Sequence, residues 1–294
     1  MNMRVTVALA IVLAIGVPAR AAQRLFGADG AGGNPATNLY LLDPTNGAIV
    51  STIGPIGFAI TGLAFDPSTS VLYGSTGNAS PTSPGSLVRI DTTTGAGTLI
   101  GSFGVSKQTM ADLTFFGGTL YGSGSSVGDL YAVNVTTGLA TLIGGSGRTT
   151  FDTGNALAAD SLGNFFAAAG NNSTLELFSV NPSTGLSTLI APITGAPAPT
   201  QSISALAFNA SNTLFGANAG NDTQTAFLLT IDTTTGAAVN LGQTVNGLDA
   251  IVFEPTATHA APTLSVPSIL FLFGLMLLVG TMHLRRPRLS RPQR

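Results

Sequence analysis

The feature that most constrains the fold of this chain is a sequence unit that is repeated five times. The clearest copy is LVRIDTTTGAGTLIG from Leu87 to Gly101, which continues after a gap with LTFFGGTLYGS from Leu113 to Ser123. Each copy contains two apolar runs around a D/N-x-x-T/N-G turn, then a variable gap and two further apolar runs. Its turn glycines recur at intervals of 48, 43, 47 and 51 residues, at Gly47, Gly95, Gly138, Gly185 and Gly236. Spacings of this size are typical of blade-sized repeats.

The apolar runs of the unit are predicted to be strands. Each run is short, rich in β-branched or aromatic residues, and ends at glycine, aspartate or asparagine. The first turn residue, such as Asp43, Asp91 or Asp232, is expected to accept a backbone N–H two residues further on. The closing glycine is expected to adopt a positive φ, which β-branched residues avoid. Each unit should therefore fold into four antiparallel strands joined by hairpin turns.

A four-stranded sheet with two apolar faces must be covered by a neighbour on each side, which predicts a five-bladed β-propeller with four-stranded blades. The last repeat stops after its third run, Asp249 to Phe253, and lacks the final LYG-type piece. An orphan copy of that piece, LFGA, lies at Leu25 to Ala28. We therefore predict that the two ends of residues 22–255 complete one blade jointly. A parallel β-helix is the alternative, but its coils are usually shorter than this repeat and it does not explain the split unit.

The repeat resembles the YVTN-type and related quinoprotein-like β-propeller repeats over most of Gln23 to Pro255. That resemblance implies an order within each blade. Runs of the GLAFD type are expected to be innermost, LYG-type runs second, LYxID-type runs third and TLIG-type runs outermost.

Both ends of the chain carry targeting features. Residues 1–21 have a charged start, an apolar run from Val5 to Val17 and an A-x-A site, which predicts a signal peptide. The alternative is a retained membrane anchor. Residues 256–265 are a Pro/Thr/Ala linker, residues 266–284 are a predicted transmembrane helix, and the arginine-rich residues 285–294 are a predicted cytoplasmic tail.

This tail resembles the C-terminal sorting signal of the PEP-CTERM family of exported proteins. The resemblance rests on a short proline motif, the apolar run and the arginine cluster, although Val266-Pro267-Ser268 stands where the family has Val-Pro-Glu-Pro. It implies an exosortase-type processing protease and extracellular polysaccharide as partners. A plain membrane tether through the C-terminal helix is the alternative.

Composition excludes several classes of function. Between Ala22 and Pro262 the chain has 4 cations and all 13 acids, a formal charge of −9 that argues against a nucleic-acid partner. The chain has no cysteine, and its two histidines, His259 and His283, lie in the linker and the apolar run. A thiol nucleophile or a histidine-based triad is therefore excluded from the repeats. No catalytic residue, cofactor or metal site is predicted, and the stretch Asp29 to Asn34, which offers oxygen ligands for calcium, is interpreted as a strand connection.

The site hypothesis places binding on the face with the longer connections. Five charged residues fall on the crossings between repeats or at the start of the innermost runs: Lys107, Asp112, Arg148, Asp152 and Asp249. With Asn155, Gln201 and Asn246 they could form a polar ring at the mouth of a central channel. The alternative is that they form inter-blade ion pairs or solvated loop charges. The sequence thus predicts an exported, non-catalytic binding or scaffold module, and the alternative is a carboxylate-dependent hydrolase, with or without calcium, acting on a sugar or lactone.

Overall fold

The computed structural model describes residues 23–30, 37–105, 109–148, 153–171, 174–197, 202–218 and 225–256. These residues form twenty strands in five antiparallel four-stranded sheets. No helix occurs among them, and none of these residues forms a helix that could cross a membrane. The prediction of an all-β, five-bladed propeller with four-stranded blades is confirmed. The predicted signal peptide, transmembrane helix and basic tail lie outside the described residues.

The blades are numbered from the one that holds the first strand, and their strands are given from the innermost to the outermost. Blade 1 is β20 (Leu248–Phe253), β1 (Leu25–Asp29), β2 (Asn38–Leu42) and β3 (Ile49–Pro55). Blade 2 is β4 (Ile60–Phe65), β5 (Leu72–Thr76), β6 (Ser86–Ile90) and β7 (Gly97–Ser102). Blade 3 is β8 (Met110–Phe116), β9 (Thr119–Gly124), β10 (Leu130–Val133) and β11 (Ala140–Gly144). Blade 4 is β12 (Thr153–Ala159), β13 (Phe165–Asn171), β14 (Thr174–Val180) and β15 (Ser187–Pro192). Blade 5 is β16 (Ile203–Phe208), β17 (Leu214–Asn218), β18 (Phe227–Ile231) and β19 (Ala238–Gln243).

Blade 1 is built from both ends of the repeat region. Strand β1 pairs antiparallel with β20, with Leu25 opposite Phe253 and Gly27 opposite Ile251. The five innermost strands contact one another in a closed ring, β20, β4, β8, β12, β16 and back to β20. The predicted closure and strand order are therefore confirmed, and the antiparallel ladders rule out the parallel β-helix.

The core lies between the blades, and an aromatic pair fills each of the five junctions. In four of them a ring from a second strand packs on a ring from the innermost strand of the next blade. At the remaining junction, between blades 3 and 4, both rings come from second strands. The pairs, with ring centroids 4.9 to 6.0 Å apart, are Phe26–Phe65, Tyr73–Phe115, Tyr121–Phe165, Phe166–Phe208 and Phe215–Phe253. Such pairs add about 0.5–1.5 kcal/mol beyond the area that they bury.

The D-x-x-T-G turns have the predicted geometry. In blade 2 the Asp91 carboxylate accepts the N–H of Thr93 at 2.7 Å, and Gly95 has a φ of +82°. Sequence reasoning missed a second reason for the glycine: a Cβ on Gly95 would lie 2.4 Å from the carbonyl oxygen of Gly54 in the outermost strand of blade 1. The same contact recurs between Gly138 and Gly101 and between Gly185 and Gly144. Turn glycines therefore also set how closely neighbouring blades approach.

Candidate functional site

The two faces of the ring differ in their connections. One face, which we call the turn face, carries the D-x-x-T-G turns and the short connections from innermost to second strands. The other, the crossing face, carries the connections from second to third strands and the crossings between blades. Lys107 and Asp152 belong to two of those crossings and lie outside the described residues.

Each innermost strand is interrupted by a β-bulge just inside the crossing face. The register shifts fall at equivalent heights in all five blades. Bulges re-aim side chains and are common at the rims of rings and next to binding sites. The residues at these shifts, which we call the bulge ring, are Thr61, Ala111, Asn155, Ser204 and Asp249.

Most polar members of the bulge ring hold neighbouring blades together. The Thr61 hydroxyl donates to the carbonyl of Met110 in the next blade at 2.8 Å. The Ser204 hydroxyl donates to the carbonyl of Leu248 in blade 1 at 3.1 Å. Asn155, which has a φ of +54° and is buried, donates from Nδ2 to the carbonyl of Ser125 at 3.1 Å. These hydrogen bonds therefore join neighbouring blades at the height of the bulges.

Asp112 lies one residue deeper than the bulge ring and is completely buried. Its position in the repeat is occupied by Gly62, Ala156, Ala205 and Ala250 in the other blades. Its Oδ2 accepts the N–H of Leu157 in blade 4 at 3.0 Å and that of Leu206 in blade 5 at 3.2 Å. Its Oδ1 accepts the N–H of Leu113 at 2.8 Å. One carboxyl group therefore joins the inner strands of three blades.

Burial is the largest influence on the Asp112 carboxyl and raises its pKa well above the usual range of an aspartate. The three N–H donors act in the opposite direction because they favour the carboxylate. The negative charge of Asp249 raises the pKa of Asp112 further. The structure thus brings together two of the predicted site residues, a buried carboxyl on β8 and a partly exposed one in the bulge of β20.

Arg148 takes a different place, at the junction of blades 3 and 4. Its Nη2 donates to Oδ1 of Asn155 at 3.1 Å, and its guanidinium lies 5.1 Å from the centre of the Phe178 ring. A cation over an aromatic face is stabilised by the ring quadrupole. Arg148 therefore reaches from the crossing after blade 3 to blade 4 and is connected to the bulge ring through Asn155.

A second polar group on the crossing face belongs to blade 1. The Asp29 carboxylate accepts the N–H of Asn38 at 2.7 Å and the hydroxyl of Tyr40 at 2.9 Å. Burial, and next the hydrogen bond to Asp29, raise the pKa of Tyr40 to about 12. Among the described residues no three acidic or histidine side chains come together as a metal site. Both Asp29 oxygens thus accept hydrogen bonds from β2, and residues 31–34 of the stretch considered for calcium lie outside the described residues.

Sequence reasoning named Asp112, Asp249, Arg148 and Asn155 as candidates but missed the hydroxyl groups of Thr61 and Ser204. A signal for them exists, because each stands directly before an innermost apolar run, in T-GLAF and S-ALAF. Serine and threonine are so frequent in this chain that a hydroxyl group at this position indicates a contact between blades only once the bulge is known.

Comparisons with known proteins identify the fold. The sequence matches no protein-family model and no curated protein. The structure is similar to a chain of a nidogen/laminin complex, with a TM-score of 0.51, 14% identity, and coverage of 79% of this chain and 98% of that one. This likeness shows the fold alone.

Two other solved structures have lower scores. One is a protein of unknown function from Bacteroides caccae, with a TM-score of 0.42, 13% identity and coverage of 79% of this chain and 98% of that one. The other is a PQQ-bound aldose sugar dehydrogenase from Streptomyces coelicolor, with a TM-score of 0.42, 16% identity and coverage of 62% of this chain and 63% of that one. The predicted five-bladed β-propeller with four-stranded blades is confirmed at the level of the fold.

Proposed function

We propose that this protein is an exported, non-catalytic binding or scaffold module held at the cell surface or envelope. The observation that carries the proposal is the position of Asp112. Its carboxyl group is fully buried and accepts three backbone N–H groups from three blades. A group held in this way has a structural task at the centre of the ring.

The chemistry available to the propeller supports the same proposal. The body has no cysteine and no histidine, so a thiol nucleophile and an imidazole base are missing from its sequence. Three of the four polar members of the bulge ring, Thr61, Asn155 and Ser204, form hydrogen bonds between blades. The crossing face remains the surface on which connections vary, and variable connections on a rigid ring usually carry binding.

Export and anchoring are proposed from the two ends of the chain. The predicted signal peptide directs the body out of the cytoplasm, and the apolar run with its arginines tethers it to the membrane. Extracellular polysaccharide or protein is the proposed partner, with an exosortase-type protease acting on the tail if it is removed. The mass of the mature protein from an envelope fraction tests both events, because each cleavage removes a known segment. A mass equal to that of the whole chain would contradict export through the signal peptide.

Binding is tested by titration calorimetry of the protein with isolated extracellular polysaccharide. Substitutions Arg148→Ala and Asp249→Asn on the crossing face are expected to weaken binding about tenfold or more. Leu162→Ser is the matched control, since Leu162 is 78% exposed and lies on the turn face. Equal loss of binding in all three variants, or in none, would contradict a site on the crossing face.

A carboxylate-dependent hydrolase is the second candidate, and one observation favours it. The pKa of the buried Asp112 is raised, first by burial and also by the negative charge of Asp249, so the two carboxyl groups interact in different environments. Turnover of a glycoside or lactone panel, with and without calcium, tests this candidate. Activity that disappears in Asp249→Asn would replace the non-catalytic proposal.

A further inference from the structure

The chain contains two Asn-Gly pairs, and the structure places them in different surroundings. Asn46 and Gly47 lie in the turn between β2 and β3, whereas Asn246 and Gly247 lie in the crossing that joins β19 to β20. Asparagine is a thermolabile residue, and a following glycine has no Cβ to keep its nitrogen away from the asparagine side chain. The two pairs have the same covalent chemistry, so the structure around each pair decides how readily it reacts.

The Asn46–Gly47 pair is held by hydrogen bonds and by packing. The Gly47 N–H donates to the carbonyl of Asp43 at 2.8 Å, and Oδ1 of Asn46 accepts the N–H of Ala48 at 2.9 Å. The turn also packs against blade 5, where a Cβ on Gly242 would lie 2.1 Å from the Asn46 carbonyl oxygen. The nitrogen and the side chain that would have to react are therefore both bound to other groups.

The Asn246–Gly247 pair is held less firmly. Its turn is closed by one hydrogen bond of 3.2 Å, from the N–H of Leu248 to the carbonyl of Val245. Among the described residues, neither the Asn246 side chain nor the Gly247 N–H has a hydrogen-bond partner.

Exposure and backbone conformation do not explain this difference between the pairs. Both asparagines are exposed and both glycines are buried. The φ angles of the glycines are also similar, +76° for Gly47 and +67° for Gly247. The two pairs differ in the hydrogen bonds of the reacting groups.

We propose that Asn246 is a site of spontaneous deamidation and that Asn46 is protected from this reaction. The backbone nitrogen of Gly247 attacks the side-chain carbonyl carbon of Asn246, a C–N bond forms, and ammonia leaves with the proton of the Gly247 amide. Water then opens the five-membered imide at either of its carbonyl groups, which gives aspartate or isoaspartate. Water is the only other reactant, and no atom is oxidised or reduced.

The modification changes the crossing face in two ways. It adds a negative charge three residues before Asp249. Isoaspartate also lengthens the main chain by one carbon just before β20, where Leu248 is fully buried and faces Asp29 of β1. The isoaspartyl form is therefore expected to destabilise the blade that the two ends of the repeat region share. The inference is independent of the proposed function, since it requires neither export nor a ligand.

Incubation of the full chain in nonionic detergent at mildly alkaline pH, followed by peptide mass mapping over time, tests this proposal. The peptide with Asn246 is expected to be deamidated at least about tenfold faster than the peptide with Asn46, because the Asn46 turn must open before it can react. In denaturant the two peptides are expected to react at similar rates, which is the control for the local sequences. Labelling with an isoaspartate methyltransferase identifies the isoaspartyl product.

Two results would overturn the proposal. One is a folded protein in which Asn46 reacts as fast as Asn246 or faster. The other is a folded protein in which neither pair reacts although both react in denaturant.

The variant Asn246→Gln tests the effect on blade 1, because it retains a side-chain amide but cannot form the five-membered imide. Its unfolding midpoint is expected to stay constant during an incubation in which the midpoint of the wild type falls. An equal fall in both proteins would contradict the proposed effect of Asn246 on blade 1.

Discussion

Blades 1 and 2 have the same four-stranded ladder but are assembled in different ways. In blade 2 the innermost and second strands are joined by a short turn, so Phe65 and Leu72 pair from nearby positions. In blade 1 the equivalent pair is Phe253 and Leu25, which lie at opposite ends of the repeat region. Because no turn holds the second pair together, its formation must overcome the loss of chain entropy for a very long loop. The comparison shows that blade 1 depends on tertiary contacts that the other blades receive from chain connectivity.

The ends of the chain are accordingly fastened by several contacts. The Glu254 N–H donates to the carbonyl of Arg24 at 2.9 Å, and the Glu254 carboxylate accepts Nε of Arg24 at 2.7 Å. Gln23 bridges two blades, since its Nε2 donates to the carbonyl of Glu254 and its Oε1 accepts the N–H of Ala210. Blade 1 is thus closed by side chains at the turn face, whereas blades 3, 4 and 5 are joined at the centre by Asp112.

The largest effect is expected from removing the strand that the N-terminal end contributes. Deleting residues 23–29 takes away Leu25 and Phe26, both fully buried, and leaves β20 and β2 without a partner between them. Loss of a buried leucine or phenylalanine side chain costs about 2–5 kcal/mol each, so cooperative unfolding should be lost or shifted sharply. Thermal unfolding measured against a chain that begins at Gln23 checks this. An unchanged midpoint would show that blade 1 does not close the ring.

The second prediction concerns the centre of the ring. Asp112→Ala leaves the N–H groups of Leu157 and Leu206 buried without their acceptor, each at a cost of about 1–3 kcal/mol. Denaturant unfolding should show a destabilisation smaller than that of the deletion. A variant as stable as the wild type would mean that the three blades do not depend on this carboxyl group.

The pH dependence of the unfolding free energy should distinguish Asp112 from the other carboxyl groups. Because the pKa of Asp112 is raised in the folded state, the folded protein binds the proton more tightly than the unfolded chain does. The contribution of Asp112 to the free energy of unfolding is therefore most favourable below the ordinary aspartate pKa of about 3.9. This stabilisation is lost as the pH rises from there toward the pKa of Asp112 in the folded protein. Asp112→Asn should remove this dependence, so the wild type should lose stability relative to the variant as the pH rises through that window. A constant difference in unfolding free energy across the window would contradict the raised pKa.

Substitutions that disturb the contacts between turns and neighbouring blades should have an intermediate effect on stability. Gly95→Ala combines a positive φ with a close approach of the new Cβ to the Gly54 carbonyl, whereas Gly117→Ala has the positive φ but open space around it. Strain at a positive φ costs about 1–2 kcal/mol, so Gly117→Ala should lose about that much and Gly95→Ala more. Equal unfolding midpoints for the two variants would contradict a role of Gly95 in setting the distance between blades.

The smallest effect is expected for the ion pair that closes blade 1. Arg24 and Glu254 have 47% and 27% exposed side chains, so solvent screens their attraction. Glu254→Gln should lower the unfolding free energy by no more than about 1 kcal/mol, and less at high salt. A loss of several kcal/mol that persists in salt would mean that the ion pair, and not the β1–β20 ladder, holds the ends together.

Much of this fold could be predicted from the sequence because its information is local and repeated. The aspartate and the glycine of each turn act within a few residues, and the missing LYG-type piece can be found by counting runs. Asp112 could not be interpreted in the same way. Its partners Leu157 and Leu206 are 45 and 94 residues away, and its carboxyl replaces the small residue of the other repeats. The bulges that aim Thr61 and Ser204 at neighbouring blades leave no distinct sequence signal either.

The ring closure can be tested directly because the chain has no cysteine of its own. Arg24 and Glu254 extend the β1–β20 ladder by one pair, and facing residues of antiparallel strands are close enough for a disulfide. In the double variant Arg24→Cys/Glu254→Cys, mild oxidation is expected to give a nearly complete disulfide within one chain, detected by peptide mass mapping, with a raised unfolding midpoint. Single-cysteine variants provide the control. Thiols that stay free in the folded protein, or that link only different chains, would contradict a propeller closed by its own two ends.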